Sequence, residues 1–140
     1  MSDVERTLSL EVVTPDRIVL SETAEYVRAP GALGSFGVLY GHAAFLTELI
    51  TGELNYRSPD GRPHAVAVSG GFLQVLENRI TVLADSAERR EEIDVARAAA
   101  AAERARAARS LGPSGAQLLE LDADLERALN RLRIAAPEDE

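Results

Sequence analysis

Residues 80–109, ITVLADSAERREEIDVARAAAAAERARAAR, change their side-chain period part-way through. Ile80 to Ala84 alternates apolar with small or polar residues, the two-residue period of a half-buried strand. From Val95 to Ala108, nine of fourteen residues are alanine, the strongest helix former. Between the two lies Ala84-Asp85-Ser86-Ala87-Glu88. Everything before this switch reads as β and everything after it as a pair of helices. The expected fold is therefore β plus α: an N-terminal antiparallel β-sandwich of about ten short strands, then a C-terminal antiparallel two-helix hairpin. The expected divisions are residues 1–86 for the sandwich, 87–136 for the hairpin and 137–140 for a tail.

Upstream of the switch, Thr7 to Val13 alternates, with Leu8, Leu10 and Val12 on one face. Further short runs begin at Arg17, Ala24, Phe45, Gly52, His64, Phe72 and Ile80. Pro15 and Pro30 stand at strand edges, where a missing N–H is tolerated. Residues 30–37, PGALGSFG, read as a glycine-rich bend leading into Val38 and Leu39, and Gly41-His42-Ala43 as another turn. Ser58-Pro59-Asp60-Gly61 is a turn signal with a mechanism: proline presets one dihedral and glycine accepts positive φ. No segment in this half is long enough for the helical crossover of a parallel sheet, so antiparallel pairing is the default.

Beyond Ser86, Glu91, Glu92 and Asp94 fall in the first turns of a helix and Arg104, Arg106 and Arg109 near its end, as the helix macrodipole favours. Residues 110–115 make a turn. Ser114 with Gln117 three residues on is a capping-box signature for a second helix, which carries Leu118, Leu121, Leu125, Leu129 and Leu132 on one stripe. Two helices of under ~20 residues are marginal alone, and the first offers mostly methyl groups for burial. Either an alanine seam docks the hairpin permanently, or the hairpin is held weakly enough to undock and extend. Pro137 and Glu138-Asp139-Glu140 read as a frayed tail.

The net charge of −8 argues against nucleic acid or anionic lipid as main partners. All 15 basic residues are arginine, so every cation is a permanently charged fork suited to carboxylate or phosphate. The absence of cysteine removes disulfides, thiolate ligands and a thiol nucleophile, and fits the cytosol. The longest apolar runs fall far short of the ~20 residues of a membrane span, and the acidic N-terminus lacks the apolar core of a secretory signal. No active site is evident. His42 lies in a turn and His64 at a strand start, with no nucleophile elbow, no H-x-x-x-H spacing for zinc and no phosphate-loop lysine. The chain reads as a non-enzyme that requires no metal or cofactor.

Arginine placement is more informative. Asp94, Arg97, Ala98, Ala101 and Arg104 share one helical stripe, and Arg127 and Arg131 are four apart on the second helix. Like charges at that spacing cost a few tenths of a kcal/mol. In an antiparallel hairpin these four arginines can converge on an anion, for which a polyphosphate is a natural choice. Alternatively they form a solvated surface with intrahelical pairs such as Asp94 with Arg97.

At these residues the chain resembles the epsilon subunits of bacterial F-type ATP synthases, over nearly its whole length. Pro30-Gly31, Gly34-Ser35-Phe36-Gly37-Val38-Leu39 and Gly41-His42-Ala43 resemble that family's glycine-rich bend and Gly-His-Ala turn. Val68-Ser69-Gly70-Gly71-Phe72-Leu73-Gln74-Val75 resembles its Ser-Gly-Gly strand, and Thr81-Val82-Leu83-Ala84-Asp85-Ser86-Ala87-Glu88 its exit from the sheet. Ile93-Asp94-Val95-Ala96-Arg97-Ala98 matches a pattern whose bearers bind ATP, and Leu129-Asn130-Arg131-Leu132 resembles the close of the second helix.

The resemblance implies a central-stalk rotor component that couples proton flow to ATP synthesis. The sandwich would sit against the gamma subunit and the ring of c subunits, through loops holding Ser35, Tyr40, Gly41 and His42. The hairpin would either fold down or extend along gamma to the alpha and beta subunits, where it blocks ATP hydrolysis. The resemblance implies ATP as a regulatory ligand, held by Ile93, Asp94, Arg97, Ala98, Arg104, Arg127 and Arg131. It implies a peripheral place on the cytoplasmic face of the bacterial membrane, without insertion into it. Two positions depart from the family pattern: Tyr40 stands where proline is usual, and Ser35 where many members are acidic. The alternative is a free-standing β-sandwich binding module whose helical tail engages some other partner.

Overall fold

The computed structural model describes residues 6–136 and contains, among them, ten strands followed by two helices. The strands are β1 Leu8–Val13, β2 Ile18–Ala24, β3 Tyr26–Gly31, β4 Gly34–Leu39, β5 Phe45–Glu48, β6 Gly52–Arg57, β7 Pro63–Ser69, β8 Phe72–Leu76, β9 Arg79–Leu83 and β10 Ser86–Arg89. A 3₁₀ turn at Arg90–Glu92 precedes α1, Val95–Ser110, and α2, Gly115–Ala135. The chain divides into two compact units, Met1–Arg89 and Arg90–Glu140. The expected tail at 137–140 lies outside the described residues.

The first unit is a sandwich of two five-stranded sheets, ordered β2-β1-β9-β8-β5 and β10-β7-β6-β3-β4. Strand alternation builds its core. Leu8, Leu10 and Val12 from β1, Ile80 and Val82 from β9, and Leu73 and Val75 from β8 belong to one buried cluster with Val27, Val38, Leu54, Val66 and Val68 of the other sheet. Each such side chain stabilises the fold by roughly 1.5–3 kcal/mol on burial.

Three sequence expectations need correction here. Pairing is antiparallel except between β1 and β9, which run parallel with Leu10 opposite Ile80 and Val12 opposite Val82. No crossover helix is needed, because the intervening strands make the connection. The glycine-rich stretch is itself a hairpin: Pro30 pairs with Ser35 and Gly31 with Gly34 across β3 and β4. Gly31 is obligatory there, since a Cβ would lie 2.9 Å from the Gly34 carbonyl oxygen and from the Phe36 ring. The sheet also runs past Ser86. β10 pairs with β7, Ala87 opposite Val68, and its polar sequence, SAER, hides it from any search for apolar alternation. Arg89 ties this edge to the other sheet, donating to the Val19 carbonyl and pairing with Glu22, each at 3.3 Å.

In the second unit α1 and α2 pack antiparallel along one another. Arg109 near the end of α1 pairs with Asp122 near the start of α2 at 3.1 Å, and Arg90 Nε donates to the Ile134 carbonyl at 2.8 Å. Asp94 is the N-cap of α1, so Glu91 and Glu92 precede the helix rather than fill its first turn. Ala98, Ala102 and Ala105 form its buried seam. Ser114 does occupy the N-cap of α2, but its hydroxyl makes no capping bond; the Gln117 amide is taken by the Ser114 carbonyl at 3.2 Å. The buried stripe of α2 is rotated from the leucine row: Ala128 is buried while Leu129 is 38% exposed. A seam of alanines admits a small residue at its centre and leaves longer side chains at the rim.

Candidate functional site

A groove of about 350 Å³ runs along the helical hairpin, within the ~300–1,000 Å³ of small-molecule sites. Alanines of α1 and Leu121 of α2 leave room on its walls for long polar side chains: Arg104 from α1, and Asp124, Arg127 and Arg131 from α2. Arg127 and Arg131 lie one helical turn apart and so face the same way. The Arg127 guanidinium donates to the Asp124 carboxylate one turn before it. Among the described residues, no hydrogen bond or ion pair engages the guanidinium of Arg104. Chemically, the groove is a set of bidentate donors on an alanine floor, an arrangement suited to oxyanions.

Of the nucleotide-site residues expected from sequence, Arg104, Arg127 and Arg131 come together. Arg97 does not line this groove. It is exposed on the same face of α1, two turns or about 10 Å before Arg104. Asp94 is committed to its cap: its Oδ1 accepts the Arg97 backbone N–H at 3.0 Å, in place of the expected side-chain pair. Ile93 and Ala98 are buried. Asp124 escaped the sequence reading, although its position three residues before Arg127 marks it as an i,i+3 partner.

The four loop residues expected to act together are separated. Ser35 lies within β4, not in a loop, and its Oγ accepts a bond from Arg28 Nε at 2.9 Å. Tyr40, Gly41 and His42 follow the other end of β4, roughly 17 Å away at the usual rise per residue. Gly41 adopts φ +87°, and its N–H donates to Asn78 Oδ1 at 2.7 Å. His42 lies against Phe45 with ring centroids 5.8 Å apart. Leu39, Tyr40, Phe45 and Leu76 leave this end of the sandwich apolar and exposed. Asn78 was the residue missed; its φ of +63° marks it as a turn residue, but nothing in its local sequence announces a partner 37 residues away.

One polar cluster resembles catalytic machinery. In the turn between β6 and β7, Ser58 Oγ lies 3.1 Å from His64 Nε2 and donates to Asp60 Oδ1 at 2.5 Å. A triad needs its carboxylate on the far nitrogen of the imidazole. Here the carboxylate accepts the serine hydrogen bond instead, and His64 stacks on Tyr56 with centroids 4.7 Å apart. The network is a turn brace. The Ser58 hydroxyl, followed by the Arg62 backbone N–H, holds the Asp60 carboxyl below its ordinary value of 3.8.

The profile of the family described as ATP synthase, Delta/Epsilon chain, beta-sandwich domain, matches residues 7–90. The ATP synthase epsilon chain of Nitratidesulfovibrio vulgaris (strain DP4) is 47% identical over 131 residues, covering 94% of this chain and 97% of the relative. This chain belongs to the ATP synthase epsilon chains. The epsilon chain of Desulforapulum autotrophicum is 48% identical over 125 residues, 89% of this chain and 93% of that one. Among solved structures, a chain of the Euglena gracilis mitochondrial ATP synthase, comprising OSCP, F1 and c-ring, superposes with a TM-score of 0.76 at 28% identity. The match covers 89% of this epsilon chain and 79% of that chain. A chain of the Tetrahymena thermophila mitochondrial ATP synthase central stalk and c-ring shares the fold, with a TM-score of 0.52 at 18% identity. An epsilon chain is a non-catalytic subunit, and its partners are other parts of an ATP synthase. The alternative of a free-standing binding module therefore falls away. No helix among the described residues is long and apolar enough to cross a membrane.

Proposed function

We propose that this epsilon chain is a rotor component of the central stalk that couples proton flow to ATP synthesis, and that its hairpin binds ATP and governs ATP hydrolysis. The sandwich meets two partners. The apolar end around Leu39, Tyr40 and Leu76, beside Gly41 and His42, suits the c ring. The outer face of the first sheet carries a cross-strand apolar row, with Phe72 opposite Leu83, Leu83 opposite Val13 and Val13 opposite Ile18, which suits the gamma subunit. Attached this way, the subunit is peripheral, on the cytoplasmic face of the bacterial membrane.

The observation that carries the regulatory reading is the convergence of Arg104 from one helix with Arg127 and Arg131 from the other. Arg97, two turns on, lies within reach of the rest of a nucleoside triphosphate, beside Ile93, Asp94 and Ala98. An ATP that bridges both helices contacts the folded hairpin only, and so shifts the population toward it. The shift amounts to roughly 2.7 kcal/mol at a hundredfold excess over Kd. At low ATP the hairpin extends along gamma toward the alpha and beta subunits and blocks hydrolysis; at high ATP the block is relieved.

Calorimetric titration of the whole chain with ATP tests this reading. One site is expected, with Arg104→Ala or Arg131→Ala losing ten- to a hundredfold in affinity, from about 1.5–3 kcal/mol per charged hydrogen-bonding partner. In reconstituted ATP synthase the same variants should inhibit hydrolysis regardless of ATP level. Absence of binding at millimolar ATP overturns the sensor and leaves the rotor role standing.

A further inference from the structure

The arginine groove carries its own counter-anion. Asp124 and Arg127 both line it, and the carboxylate accepts a bond from the guanidinium. Two other acids of the hairpin are committed elsewhere, Asp122 to Arg109 at 3.1 Å and Glu103 to Arg106 at 3.2 Å, and none of these four residues lines the groove. We propose that Asp124 is a specificity-determining residue of this groove, a tethered carboxylate that sets how much negative charge a ligand must bring to enter. The proposal rests on the anion-site reading above and deepens it.

The argument is one of competition. A carboxylate fixed on the same helix meets Arg127 at the high effective concentration of any tethered group. A monophosphate offers Arg127 little that Asp124 does not, and Asp124 repels it. A polyphosphate reaches across to Arg104 on the other helix as well, a donor that Asp124 does not hold, and so tolerates the repulsion. The groove is thereby tuned against single phosphates and toward chains of them. The Asp124 and Arg127 side chains are 48% and 35% exposed, so the pair is partly screened and can open without leaving a buried charge behind.

The test titrates the full-length chain with ATP, inorganic tripolyphosphate and orthophosphate, in wild type, Asp124→Asn and Asp122→Asn. The two variants change net charge equally, but only the first alters the groove. Asp124→Asn is expected to tighten ATP and tripolyphosphate by about tenfold and to make orthophosphate binding measurable, with the gain shrinking as salt rises. Asp122→Asn should change each affinity by less than about twofold. Asp124→Ala, which favours helix, carries the same expectation should the amide variant fold poorly. Equal or weaker binding by the Asp124 variants, with wild type still binding ATP, overturns the proposal and spares the ATP site. Equal tightening by Asp122→Asn overturns it as well, by reducing the effect to net charge. Binding by Asp124→Asn alone supports the proposal while removing ATP sensing from the wild type, and binding by no variant overturns both.

Discussion

Gly71→Ala puts a methyl group where the sandwich has no room for one. A Cβ at Gly71 would lie 2.0 Å from the Leu83 carbonyl oxygen, 2.7 Å from Ala84 Cα and 2.9 Å from the Leu83 carbonyl carbon. All three atoms are backbone, so no side chain can swing aside. Relief requires the end of β9 to move by about 1 Å within a close-packed interior, and Phe72 opposite Leu83 is the pair that must loosen. Gly71 also has φ +98°, where a Cβ costs roughly 1–2 kcal/mol by itself. Adding 1–3 kcal/mol for a forced backbone shift gives a loss of about 2–5 kcal/mol. At 4–8 °C per kcal/mol for a unit of this size, Tm should fall by roughly 8 °C or more. Tyrosine fluorescence isolates the sandwich, because Tyr26, Tyr40 and Tyr56 all lie in it and Trp is absent. The control is Gly61→Ala, at φ +86° with nothing within 4 Å of the new Cβ, which should cost only the dihedral strain. The steric reasoning fails if Gly71→Ala is no more destabilising than Gly61→Ala.

Leu54 is wholly buried, so Leu54→Ala should lower the stability of the sandwich by about 2.7–5 kcal/mol in urea unfolding, the range for cavities of this kind. Asp94→Ala removes the cap of α1 and should cost about 1 kcal/mol, seen as reduced helical ellipticity with the sandwich transition unchanged. Asp60, with its carboxyl below 3.8, adds stability that is fully present above the unfolded-state value and disappears as pH falls through the lower folded value. Ser58→Ala removes the leading cause, so an NMR titration should show the Asp60 pKa rising toward 3.8.

What could be read from sequence was what depends on near neighbours. Leu8, Leu10 and Val12 announce their strand by period, and the alanine run from Ala98 to Ala102 announces its helix by composition. β10 stayed hidden because its reason to be a strand is the open edge of β7 rather than anything in Ser86-Ala87-Glu88-Arg89. The parallel pairing of β1 with β9 is likewise a property of the closed sheet. In the groove, the spacing of Arg127 and Arg131 revealed a shared face, but which residues of α1 meet that face depends on the rotation of one helix against the other. That rotation brings in Arg104. Arg97 shares the face of Arg104, so what leaves it outside the lining is its place two turns away along the helix axis. The Asn78 bond to Gly41 joins two turns on different sheets, and no local pattern encodes it.

The position of β1 sets a timetable for synthesis. It lies between β2, its immediate successor, and β9, so Ser9 to Val13 wait for Arg79 to Leu83 to be made. Until then the first sheet consists of two fragments, β2 with β1 and β8 with β5, each with an edge that β9 alone can cover. The second sheet waits almost as long, because its last strand is β10. A nascent chain that ends before β9 therefore displays unpaired edges and uncovered valines, the surface that chaperones bind and that aggregates form from. The sandwich closes late and nearly at once, with pairings of high sequence separation that favour slow folding.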